Sequence, residues 1–337
     1  MSCTSPTQLC AELIPSTFPL KMFYVMSAVS LPLYIMVFAS LLRLRCTSKT
    51  YNSTFYSILL QHCIIDLIAM TYTVVNNSIR NLQAVRQFYF DYQQYYIAAG
   101  TYSIVYLFLY VRCTGIVFLS LQRYLTITCP NSIITRKVQQ LSKLQIVFAY
   151  WSVPALISIV ALKDTNIRFE SAETLSIVVD QEIIQRNTLM SLIVVSITCI
   201  LCFSVYVALF HFIRKHTAKL SRSLRRELHL AFQVFVLLLA LFVVLIYYAF
   251  QNYFSRTRNN TLIVYMRSWY PIANGLLSYI NPFCVLFLNR DLSTHVMRTA
   301  TCNLCKSSCE SPIFVLASQV NKNSSLSRNL NVLESLK

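Results

Sequence analysis

Two residues in this sequence carry charge where charge is hardest to keep: Asp66 and Arg112 each sit midway along a long apolar run. In hydrocarbon a lone charge of either kind costs roughly 2.5 to 3.5 kcal/mol or more, so each demands a partner. The two runs are neighbours joined by a short connection, which makes them antiparallel and sets both residues near mid-membrane. A buried Asp66–Arg112 ion pair is therefore expected, serving either as a switch or as a packing lock. His62 lies one turn before Asp66 on the same face; one such pair makes half a metal site, and a packed or water-bonded imidazole is favoured. Arg123 and Tyr124 close the run that carries Arg112, and Asn281–Pro282 interrupts the last apolar run, where proline kinks a helix. Cys302, Cys305 and Cys309 have a spacing zinc could use, but a fourth ligand is missing nearby; palmitoylation just below a membrane suits them better. No converging nucleophile and base, as a membrane-embedded hydrolase needs, is visible, so neither catalysis, cofactor nor metal is expected.

These residues must be positioned by helices. Sustained apolar runs occupy residues 22–42, 55–76, 97–122, 144–162, 188–212, 229–250 and 264–288, each near the roughly 20 residues a helix needs to cross a bilayer. With 56% hydrophobic and 12% charged residues in a chain of 337, the bilayer must act as solvent. A β-barrel would alternate in short segments instead. The expected fold is all-α: a seven-transmembrane helical bundle. A transporter or channel is the rival reading, but transporters usually break helices near mid-membrane and repeat internally, whereas this chain has 3 glycines and no visible repeat.

The net charge of +17 suits an anionic membrane surface and needs no nucleic acid. Arg43, Arg45 and Lys49 fill the first connection, Arg123, Arg136, Lys137 and Lys143 the third, and Arg214, Lys215, Lys219, Arg222, Arg225 and Arg226 the fifth, against Glu227 as their one acid. Short basic loops stay cytoplasmic, which puts the N-terminal segment, residues 1–21, outside. No leader peptide is evident there, and the first span is expected to direct its own insertion. After the bundle, residues 289–301 read as an amphipathic helix and residues 302–337, rich in Ser and Asn, as a flexible tail open to phosphorylation. Residues 219–226 form a basic amphipathic stretch fit to dock an effector or anionic lipid.

On the outer side, Tyr72, Tyr102, Tyr106, Tyr247, Tyr248, Gln251, Trp269 and Tyr270 suit an aromatic pocket for a small organic molecule, or an interfacial belt. Tyr95 and Tyr96, nearer the boundary, fit the belt; Tyr102 and Tyr106, one turn apart and deeper, fit the pocket. Asn76 and Asn259 are glycosylation sequons on external connections, with Asn259 the better placed because Asn76 lies close to the membrane. Cys3 and Cys10 are the only cysteines in an external segment and so the only plausible disulfide pair, while those within helices serve packing.

Residues 120–130, Ser-Leu-Gln-Arg-Tyr-Leu-Thr-Ile-Thr-Cys-Pro, resemble the Asp/Glu-Arg-Tyr signature of rhodopsin-like receptors with Gln122 in place of the acid. Residues 281–285, Asn-Pro-Phe-Cys-Val, look like the Asn-Pro-x-x-Tyr motif with Val285 in place of Tyr. Each motif is weak alone, and their joint placement on spans of seven is strong. The connection between spans four and five lacks a Cys, span six lacks a Pro and span one lacks Gly-Asn, so the chain departs from mainstream members. Residues 269–291 and 51–63 look like the nematode serpentine chemoreceptors of the Srg superfamily, closest to Srv, over residues 20–300. That resemblance implies a chemosensory receptor in the plasma membrane, its sensory cilium included, binding a small-molecule ligand and activating a heterotrimeric G protein through Arg123. In rhodopsin-like receptors the level of Asp66 holds a sodium pocket; here Arg112 is expected to put a guanidinium where the ion would sit.

Overall fold

The computed structural model describes residues 18–80, 82–173, 175–216, 222–288 and 292–296. Seven of its helices are long and apolar enough to cross a membrane: α1 (Phe18–Thr47), α2 (Thr54–Ile79), α3 (Ile97–Thr128), α4 (Lys143–Leu162), α5 (Gln181–His216), α6 (Arg222–Arg256) and α7 (Asn260–Leu288). Most extend past the apolar runs. Hydropathy marks only the stretch inside hydrocarbon, and backbone hydrogen bonding carries the helix on into the polar layer; α6, for example, runs to Arg256.

Local signals set several ends. Ser142 opens α4 with a capping box, its Oγ accepting from the Gln145 amide at 3.2 Å while the Gln145 side chain accepts from the Ser142 amide at 2.9 Å. Ser132 caps a short helix, Ile133–Gln139, in the preceding connection. The connection from α2 to α3 contains another, Gln83–Asp91, and that from α4 to α5 a hairpin of β1 (Arg168–Phe169) and β2 (Ile177–Val178), antiparallel with Arg168 opposite Val178. These short elements lie between the apolar runs, and none is long enough to stand out as one of them.

Within the bundle α3 is central, packing on α2, α4, α5 and α6, while α7 closes the ring against α6 and α1. The interior is aromatic and aliphatic, with Tyr110, Ile116, Val195, Leu237 and Leu241 packed in one cluster. Outside, large apolar side chains stand exposed on one helix after another, such as Val25 and Val29 on α1, Phe148 and Leu156 on α4, and Ile200 and Phe210 on α5. Water would not tolerate that surface, and lipid does. The protein is a multi-pass membrane protein.

Backbone contacts divide the chain into two units, Met1–Arg290 and Asp291–Lys337. In the second, residues 292–296 are helical; the remainder of the expected amphipathic helix, the tail, Cys302, Cys305 and Cys309 lie outside the described residues, as do Cys3 and Cys10. The described cysteines are all free, with Cys63, Cys113, Cys199 and Cys202 buried in the bundle.

Candidate functional site

The centre of the bundle is a polar node built on one carboxylate. Asp66 and Arg112 are both fully buried, and the Arg112 Nε lies 2.9 Å from Asp66 Oδ1. The Nε–H is not aligned on that oxygen, so the contact is ionic more than a directed hydrogen bond. The guanidinium spends its aligned donors on α7: Nη1 donates to Asn274 Oδ1 at 2.5 Å and Nη2 to Ser278 Oγ at 2.6 Å. Asp66 Oδ2 accepts from Tyr34 Oη of α1 at 2.6 Å and from Asn281 Nδ2 at 3.3 Å. Ser278 Oγ reaches Oδ1 at 3.4 Å and so bridges the pair. Shared donors of this kind let two opposite charges persist in a dry interior.

Further bonds widen the node. His62 Nε2 lies 3.7 Å from Asp66, and its Nδ1 is 3.2 Å from the Tyr150 hydroxyl of α4. Gly115 makes room for that contact, since a Cβ there would stand 2.4 Å from the Tyr150 oxygen and 2.6 Å from His62 Nδ1. Asn281 Nδ2 also donates to Tyr34 Oη at 2.7 Å, and its Oδ1 receives Gln233 Nε2 of α6 at 3.4 Å. Pro282 follows directly, inside α7. Among the described residues every span except α5 thus sends a side chain into one connected network, with Arg112 directly beside Asp66.

Toward the end of the bundle that bears the β1–β2 hairpin lies a cavity of about 390 Å³. Tyr72, Tyr102 and Tyr106 line one side of it; Tyr247, Tyr248, Gln251 and Tyr270 line another. The hairpin contributes Leu175, Ser176 and Ile177. With no cysteine in its connection, that loop is pinned by Arg80 Nη2 on the Leu175 carbonyl at 2.9 Å, Arg86 Nη1 on the Glu173 carbonyl at 2.7 Å, and the Phe169 amide on Gln93 Oε1 at 2.7 Å.

Two residues sit elsewhere than expected. Trp269 is not on the cavity wall: one residue before Tyr270 and about 100° round the helix, its ring packs against Phe18 and Tyr265. Asn76 lies within α2, half-buried, and lines the cavity, because the helix outlasts its apolar run. Asn259 is exposed in the turn before α7, its Oδ1 accepting from the Leu262 amide at 3.1 Å.

At the opposite end Arg123 pairs with Glu227 of α6, and its guanidinium carbon lies 3.2 Å from the centre of the Phe55 ring. Tyr124 is half-buried beside it. Gln122, where the resemblance would place an acid, is occupied locally, donating to Thr126 Oγ1 at 3.1 Å. The acid for Arg123 therefore comes from another helix. Arg222, Arg225 and Arg226 belong to the first turns of α6, but their side chains lie outside those described. Sequence reasoning missed Glu227 as a partner, although its isolation among basic residues was the available signal. Tyr34, Asn274 and Ser278 gave none, being neutral polar residues that a long apolar helix carries at little expense.

Seven spans around a buried ion-pair node, with a cavity at one end and a latched arginine at the other, define a seven-helix receptor. The family model of the serpentine type 7TM GPCR chemoreceptor Srv matches residues 23–302, and the chain belongs to that family of G-protein-coupled chemoreceptors. No curated protein matches it.

Proposed function

We propose that this chemoreceptor lies in the plasma membrane with its N-terminus outside, takes a small organic ligand into the tyrosine-lined cavity, and signals to a heterotrimeric G protein at the Arg123 end. The basic connections support the orientation. The observation that carries the signalling route is the course of α7. Its Tyr270 and Pro271 form cavity wall, its Asn274 and Ser278 hold Arg112 one and two turns on, and its Asn281 joins Tyr34, Asp66 and Gln233. A ligand that shifts Tyr270 displaces the anchors of the buried charge, and the network hands that shift to α6, which holds Arg123 through Glu227.

Breaking the latch while keeping the arginine favours the released state. Glu227→Gln is expected to raise nucleotide exchange without ligand several-fold in membranes carrying a reconstituted G protein, whereas Arg123→Ala abolishes exchange at unchanged surface level. Unaltered basal exchange in Glu227→Gln would count against the latch. Solute flux with no exchange signal from the wild type would point to a transporter instead.

A further inference from the structure

The cavity is electrically one-sided. Arg80 and Arg267 both line it, and among the described residues no Asp or Glu does. Arg267 has a buried Nη2 with no hydrogen-bond acceptor among the described residues, Arg80 a buried Nε in the same condition, and Tyr247, itself 6% exposed, a buried hydroxyl likewise unmatched. Three donors on one wall system thus lack acceptors, in a class of buried group that proteins rarely leave unsatisfied. The remaining contacts of the two arginines are neutral: Arg80 gives Nη2 to the Leu175 carbonyl and lies 5.5 Å from the Phe169 ring centre, and Arg267 lies 5.9 Å from that of Tyr102.

Two largely buried carboxylates are already taken. Asp164 is paired with Arg186, and Asp66 is paired with Arg112. Burial lowers the Arg80 guanidinium from its ordinary value, the direction expected of a cation held away from water. Water could satisfy the hydrogen bonds of these groups but would not neutralise two cations. An anion does both, and a carboxylate matches the forked donors of arginine.

We propose that the ligand is a small aryl-bearing carboxylate, its acid group held by Arg267 with Arg80 as second cation and its ring packed on the cavity tyrosines. The volume of about 390 Å³ falls within the roughly 300 to 1,000 Å³ of small-molecule sites. The inference rests on the reading of this cavity as the ligand site.

The test uses the full-length receptor, purified in nanodiscs, and three carboxylates as probes: phenylacetate, hydroxyphenylacetate and indoleacetate, each beside its primary amide. At least one acid is expected to raise the melting temperature and drive G-protein exchange while its amide does neither. Arg267→Gln should weaken the response to that acid about 10- to 100-fold, as loss of a charge-assisted contact does, with Arg267→Lys retaining part of it. Arg80→Gln is the second variant should Arg267→Gln fail to reach the membrane. Stabilisation by no acid, equal effects of acids and amides, or an acid response unchanged in both glutamine variants overturns the anion. Val105→Trp, which fills the cavity, separates the two claims: an amide response that it abolishes keeps the site and removes the anion, and an acid response that survives it removes the site itself.

Discussion

At the scale of single residues, the buried pair dominates. Asp66 and Arg112 neutralise each other at 2.9 Å, so removing one leaves an uncompensated charge, a loss on the order of 3 to 5 kcal/mol. Removing both leaves none. Asp66→Ala and Arg112→Ala are each expected to reduce surface expression and melting temperature severely, with the double variant recovering part of both. A double variant no better than the worse single one would show the two charges to be uncoupled. This pair was legible in the sequence because the bilayer forbids lone charge and the topology offered one partner. Its second layer was not. Arg112 finds Asn274 and Ser278, and Asp66 finds Tyr34, through helix rotation and packing that a single sequence does not encode as periodicity. The cavity tyrosines were legible as a group, by type and depth, but the rotational phase that turns Tyr270 inward and Trp269 toward Phe18 was not.

At the scale of elements, α7 is the helix that differs most from a plain span. It holds Pro271 beside the cavity and Pro282 beside the node, and each deprives a turn of one backbone hydrogen bond, so the helix bends at both places with less resistance than an unbroken one. Pro282→Ala, made in a Glu227→Gln background, is expected to lower ligand-independent exchange toward the wild-type level while surface expression holds. Exchange that stays high would locate the hinge elsewhere. The existence and order of the seven spans followed from apolar length alone. Their ends did not, as the early start of α5 at Gln181 shows: its first turns are polar and helical at once. The hairpin over the cavity also escaped, since two strands of two residues leave no pattern to read.

At the scale of the whole molecule, sidedness is the property to test. The proposed N-out orientation would put the exposed Asn259 outside, while Asn76 stands half-buried on the cavity wall. Asn259→Gln should therefore remove a glycosidase-sensitive band shift from receptor expressed in secretory-competent cells, and Asn76→Gln should not; the reverse pattern would contradict both placements. The Asp66 node has a consequence for how such a chain is made. Its contributors are spread from Tyr34 to Asn281, almost the full length of the spans, so the node cannot close during most of translation. The ribosome delivers Tyr34 and Asp66 first, Arg112 next and the α7 side chains last. Until α7 arrives, the nascent chain carries a charge pair that lacks most of its hydrogen bonds, because Asn274, Ser278 and Asn281 supply all of them but the one from Tyr34; the last span therefore completes the node.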